Sequence, residues 1–283
     1  MCRLFAFAGN ERSGDALINS MDSLRRAAER DPMGASGTIN HSDGWGFTII
    51  GENNNINYKL HYKSTMPIYK DPNYQFLVAP TVGELANYGA IYGIAHVLNA
   101  ADKSLIRVDS VHPIITYTGD GELHVVHNGV IDKYKAYEYI KRTYNMELDV
   151  KNLSDTYILT ELIALMYDDA HDLEKVITEL AAYFRESNGI ESALNTGILL
   201  IRQCCVELFI TSMYSRDVLS DYNRKKYYNI FIAKSNYGTI AASSTLPRIY
   251  GLAPFSNETE LEPNDDELIY CRLQPKDISC KNA

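Results

Sequence analysis

Met1-Cys2-Arg3-Leu4-Phe5-Ala6 places a cysteine directly behind the initiator methionine. If Met1 is removed, Cys2 carries a thiol and a free α-amine on one residue. An α-amine has an ordinary pKa of about 7.7–8.0, so a useful share of it is basic near neutral pH. Such a residue can be nucleophile and general base together, without a histidine. The competing reading is a buried cysteine in an N-terminal strand, a common place for a free thiol. The hexapeptide alone favours that plainer reading, and the rest of the chain has to decide.

The 283 residues are 46% hydrophobic and 22% charged, the balance of an ordinary globular protein. A net charge of −9 argues against a nucleic-acid or anionic-membrane partner, which would favour a basic surface. No stretch approaches the roughly 18 apolar residues of a membrane span. The N-terminus lacks a basic region followed by an apolar run, so no secretory signal and a cytoplasmic location are expected. The five cysteines at 2, 204, 205, 271 and 280 then read as free thiols, with a Cys271–Cys280 bridge left unsupported. Cys204 and Cys205, read as strand neighbours, would point to opposite faces. With no Cys-x-x-Cys pair and no histidine cluster at ligand spacing, no metal is expected.

Along the chain, residues 2–8 read as a buried strand. Leu17, Ile18, Met21 and Leu24 mark one face of a helix over 14–30, which ends before Asp31-Pro32. Strands are expected at 47–50 and 58–63 around a turn at 52–57, and at 91–98 and 123–126. Residues 64–90 read as loop with a short helix at 81–87. Helices follow at 133–142, from an N-cap at Ser154, and at 173–184. Strand candidates at 197–202, 205–211, 227–233, 239–242 and 267–272 close the chain, with 216–226 a solvated excursion. The block pattern predicts an α+β fold of helices on antiparallel sheets. It reads as one domain over 1–283, with a core at about 2–250 and a C-terminal strand and tail at 251–283.

Three further segments line up with Cys2. Asp43-Gly44-Trp45-Gly46 holds the chain's one tryptophan between glycines. His127-Asn128-Gly129, placed at a strand end, could turn an amide and a backbone N–H toward a negatively charged oxygen. Ser154-Asp155-Thr156 opens a helix. Each is weak alone, since Asn-Gly is ordinarily a turn and an acid at a helix start is commonplace.

Together and in this order, the MCRLF start, DGWG, the His112-Pro113 pair and VVHNG resemble the class II glutamine amidotransferases of the N-terminal nucleophile hydrolase superfamily. The resemblance covers about residues 2–160 and is closest to a small single-domain branch. It implies a four-layer α-β-β-α sandwich of two antiparallel sheets. It also implies a cysteine-dependent amidohydrolase that releases ammonia from glutamine or a related γ-glutamyl amide, with no cofactor. Cys2 matches the nucleophile, and Asn128 and Gly129 match the oxyanion-hole pair. Asp155 matches the acid that holds the substrate's α-amine, with Tyr157 where the family has Glu. With Asp155, the positions His96, Leu98 and Trp45 are expected to bind the substrate. His96, His112, His124 and His127 are otherwise expected to be structural, because this mechanism needs no histidine base.

One departure is serious. In Ala95-His96-Val97-Leu98, Leu98 occupies the place of the family's arginine, which contacts the substrate carboxylate. Ala101 and Ser110 replace two further polar residues of the pattern. Three readings stay open. Lys103 or Arg107 supplies the missing charge, or the substrate has no carboxylate there, or the chain is a non-catalytic binding or regulatory relative. No acceptor domain follows the core, so any ammonia acceptor is expected to be a separate protein.

Overall fold

The computed structural model describes residues 2–34, 37–53, 56–85, 87–264 and 267–283. Its strands are β1 Arg3–Asn10, β2 Gly44–Asn53, β3 Ile56–Ser64, β4 Ala90–Leu98, β5 Ile114–Thr118, β6 Gly121–Ile131, β7 Ile190–Arg202, β8 Val206–Ser212, β9 Ile230–Ser235, β10 Gly238–Ser243, β11 Ser256–Leu261, β12 Ile269–Gln274 and β13 Asp277–Asn282. Its helices are α1 Gly14–Glu29, α2 Asn73–Leu85, α3 Lys133–Tyr144, α4 Asp155–Ala170, α5 Leu173–Ser187, α6 Arg216–Ser220 and α7 Tyr222–Tyr228.

The strands form two antiparallel sheets. One is seven-stranded in the order β11-β9-β10-β1-β4-β2-β3, and the other six-stranded in the order β13-β12-β8-β7-β6-β5. Side chains alternate along each strand, and the alternation sorts the core into layers. On β1, Leu4, Ala6 and Ala8 join Val126, Leu199 and Leu208 of the second sheet in an apolar layer between the sheets. Phe5 and Phe7 point the other way, against Leu17, Met21 and Leu24 of α1 and Val78 of α2. On the far side, α3, α4 and α5 cover the second sheet through Ile140, Leu159, Ile163 and Leu180. The result is the expected α-β-β-α sandwich.

Several elements differ from the sequence reading. The helix in 64–90 spans residues 73–85 and carries Pro80 inside it. Residues 216–226 are mostly helical, in α6 and α7, because Val218 and Tyr227 are buried in a cluster with Ala193 and Tyr214. Tyr227 therefore lies in the last turn of a helix that ends at Tyr228, and β9 begins only at Ile230. Residues 251–283 supply three strands, one in the first sheet and two in the second. The turn at 52–57 falls partly on residues outside those described.

The cysteines also differ. Cys271 and Cys280 face each other across β12 and β13 and are joined by a disulfide. The free-thiol expectation fails there because a direct cross-strand pair brings the two sulfurs together. Cys204 and Cys205 lie in the bend between β7 and β8, their sulfurs 3.3 Å apart. Alternation holds only within a strand, so at the bend they share one side. Among the described residues no helix is long and apolar enough to cross a membrane, and no group of three or more His, Cys, Asp or Glu could hold a metal.

Candidate active site

Strand pairing sets the position of Cys2. Arg3 pairs with Val97 on β4, so Cys2 lies beside Leu98, and both even-numbered side chains turn toward the second sheet. There Cys2, Leu98 and Val111 form a small apolar cluster with Ala100 against it. Cys2 is 6% exposed, at the edge of a cleft of about 270 Å3. The cleft is walled by Leu98 to Asp102 on one side and by Gly129 to Tyr134 and Ser154 to Thr156 on the other, with His112, His127 and Glu191. Burial pushes the Cys2 thiol above its ordinary pKa, and the Asp155 and Asp43 carboxylates push the same way. The thiol is thus a protonated group that needs a base to become nucleophilic.

Asn128 sits inside β6, not at a strand end, and it faces the space between the sheets. Its Oδ1 accepts from the Cys2 backbone nitrogen at 3.1 Å. Its Nδ2 is buried without a hydrogen-bond partner among the described residues. A buried amide donor left unpaired costs about 1–3 kcal/mol, which an oxygen arriving beside Cys2 would recover. Gly129 follows where β6 runs tight against β7. A Cβ there would stand 1.8 Å from the Ala193 carbonyl oxygen, so no side chain fits.

Three buried histidines brace this strand. Burial holds His96 and His112 well below the ordinary imidazole range and lowers His127, so all are neutral at pH 7. Carbonyls only accept, which assigns the ring protons. His96 Nε2–H donates to the His127 carbonyl at 3.0 Å, and His127 Nε2–H donates to the Ala193 carbonyl at 3.0 Å. His127 Nδ1 then accepts from the Thr156 hydroxyl at 3.2 Å, and His112 Nδ1 accepts from the His127 backbone N–H at 3.3 Å. These contacts tie β4, β6, β7 and α4 together one residue before Asn128.

Asp155 opens α4, whose N-cap Ser154 accepts from Tyr157 N at 3.1 Å as the sequence predicts. Its carboxylate lines the cleft and accepts from Ile131 N at 3.2 Å and Thr156 N at 2.8 Å. Cys2, Asn128, Gly129, Leu98 and Asp155 are thus brought together.

Trp45 and His96 are not part of the cleft. Odd-numbered residues of β2 face the helices, so Trp45 packs on Phe47, Tyr62 and Tyr74 and donates from Nε1 to Asp71 at 2.9 Å. His96 is fully buried between the sheets. Strand parity and depth keep both side chains out of the cleft lining.

Neither Lys103 nor Arg107, the expected substitutes for the family's arginine, lines the cleft. Lys103 pairs with Asp43 and donates to Asn99 Oδ1 at 3.1 Å. Arg107 grips Asp109 through two hydrogen bonds of 3.0 and 3.1 Å. The cation that does line the cleft, Lys133, was not anticipated. Its one sequence signal is its place at the first residue of α3, where the helix dipole disfavours a positive charge.

No family model matches the chain, and no curated protein does. Among solved structures, the chain resembles the structure of the allosteric regulatory enzyme of purine biosynthesis, with a TM-score of 0.58 at 15% identity. The match covers 99% of this chain and 48% of that one, so the chain spans about half its length. The crystal structure of a predicted glutamine amidotransferase from Pseudomonas aeruginosa PA01 also matches, at 12% identity over 99% of this chain and 95% of that one. Its TM-score of 0.36 is too low to carry an argument. The shared feature is the layered sandwich, with Cys2 directly before the first strand of this chain.

Proposed function

We propose that the chain is a cysteine-dependent amidohydrolase of the class II glutamine amidotransferase type. It would release ammonia from the side chain of glutamine or a related γ-glutamyl amide. The observation that carries this reading is Asn128: one end of its amide holds the Cys2 nitrogen, and the other offers a buried, unpartnered donor.

Hydrolytic removal of Met1 turns the Cys2 nitrogen into a free amine. That amine takes the thiol proton, and the thiolate adds to the amide carbon. Asn128 Nδ2 and the Gly129 N–H are the donors proposed for the resulting oxyanion. The amine returns its proton to the leaving nitrogen, ammonia departs, and water hydrolyses the acyl thioester to regenerate the thiol. We assign this activity to one catalytic domain in a reducing, cytoplasmic setting, with any ammonia acceptor a separate protein. The Cys271–Cys280 disulfide is the feature that stands against that setting. The apolar wall of Leu98, Ala100 and Ala101 supports a second reading, a non-catalytic binding or regulatory subunit.

The deciding experiment uses protein whose intact mass confirms loss of Met1. Ammonia release from glutamine and a panel of γ-glutamyl amides is expected, with complete loss in Cys2→Ala. Release that survives in Cys2→Ala removes the proposed mechanism. No release from any amide, together with a stable co-purifying partner, selects the regulatory reading.

A further inference from the structure

We infer that Lys133 is the residue by which the cleft selects substrates bearing a carboxylate. The inference rests on the amidohydrolase reading and names the substrate class, an α-amino acid side-chain amide with a free carboxylate.

Lys133 is the only Lys or Arg among the described residues that line the cleft. It is half-buried, and no ion pair within 4 Å neutralises it among the described residues. Its Nζ donates to the Leu153 carbonyl at 2.8 Å and lies 5.7 Å from the centre of the neighbouring Tyr134 ring. An ammonium group has three donors, and that carbonyl takes one. The bond also fixes Nζ beside the start of α4, two residues before Asp155 on the same wall. The acids around it accept from backbone amides, Asp132 pairs with Lys135, and Asp102 feels the Lys133 charge without an ion pair within 4 Å among the described residues. Asp132 accepts from Tyr134 N and Lys135 N, Asp102 from Ser104 N, and Asp155 from Ile131 N. Lys103 and Arg107 are held by Asp43 and Asp109.

A ligand carboxylate would therefore find in this cleft one cation without an ion pair within 4 Å among the described residues. The neighbouring Asp155 would attract an ammonium group on the same ligand. Cation and anion on one wall, facing a nucleophile across an apolar wall, suit a zwitterionic head with a short neutral tail. Leu98 on the opposite wall offers that tail an apolar surface and no charge.

The test compares two reagents on Cys2 in protein lacking Met1. One is 6-diazo-5-oxo-L-norleucine, a glutamine-like diazoketone that keeps the carboxylate. The other is iodoacetamide, which is small and uncharged. The readout is the ratio of their labelling rates, so a change in thiol reactivity alone cancels. Lys133→Met is expected to lower the ratio by about tenfold or more, the loss typical of a hydrogen bond to a charged group. Lys133→Arg, which keeps the charge, is expected to retain most of it. An unchanged ratio in Lys133→Met overturns the inference and leaves the amidohydrolase reading standing. Wild-type protein that iodoacetamide labels and the diazoketone does not would overturn both.

Discussion

On the proposed mechanism, Asn128 both holds the Cys2 nitrogen and offers the oxyanion a donor. Replacing it by Leu keeps the volume and removes both the acceptor for the Cys2 nitrogen and the unpaired donor. We expect kcat to fall by about 100- to 1,000-fold, the usual cost of one oxyanion donor. Steady-state ammonia release checks this, with circular dichroism showing that the fold is kept. A fall of less than about threefold would mean that Nδ2 does not face the reacting oxygen. The same residue shows the limit of local motifs. Asn-Gly ordinarily marks a turn, yet here it runs inside β6, because β7 approaches so closely that only glycine fits at 129.

Among the elements, β1 depends on a buried polar cluster on the face opposite Cys2. Arg3 donates to Asp31 at 2.7 Å and to the Tyr227 carbonyl at 2.9 Å, and its guanidinium lies 3.6 Å from the Tyr227 ring centre. His41 and Thr245 complete the shell of Asp31 at 2.9 and 2.8 Å. Burial alone would raise the Asp31 carboxyl, but the His41 hydrogen bond and the Arg3 charge hold it well below the ordinary range. Asp31→Ala would leave Arg3 buried without its counter-charge. We expect a loss of about 3–5 kcal/mol in stability, read from urea unfolding. A loss below 1 kcal/mol would show that water replaces the carboxylate. Because Tyr227 also donates to the Cys2 carbonyl at 3.4 Å, the cluster positions Cys2 as well as the strand.

For the whole molecule, the buried histidines set the response to acid. Burial pushes His61 and His124 down to about 4 from an ordinary 6.5, and it lowers His41, His96, His112 and His127 as well. Between pH 6.5 and 4 the unfolded chain binds protons that the folded chain refuses, so stability falls as pH falls. The lowered Asp31 and Glu122 carboxyls act in the same direction at lower pH. For His124 the drop from 6.5 to about 4 corresponds to about 3 kcal/mol by pH 4. Urea midpoints should be flat from pH 7 to 8 and decline steadily below about 6.5. A midpoint that rises on acidification would contradict the neutral, buried assignment of these rings.

Much of this protein was legible in its residues before any contact was known. Apolar spacing located α1, α4 and α5, and Ser154 marked a helix start, because propensity and capping act within a few neighbouring residues. The MCRLF start, DGWG and VVHNG pointed to the sandwich fold, and the Ser154-Asp155-Thr156 helix start to an acid that the structure brings to the same cleft as Cys2. Leu98 announced that a charge was missing from the substrate side. Only the tertiary structure decided what faces what. Strand parity and register sent Trp45 into the helix-side core and His96 between the sheets, and the loops after β4 paired Lys103 with Asp43 and Arg107 with Asp109. Register also joined Cys271 to Cys280, and the fold brought Lys133 and Leu98 to one cleft. These outcomes depend on contacts between residues dozens of positions apart, and no local pattern around Met1-Cys2-Arg3 encodes them.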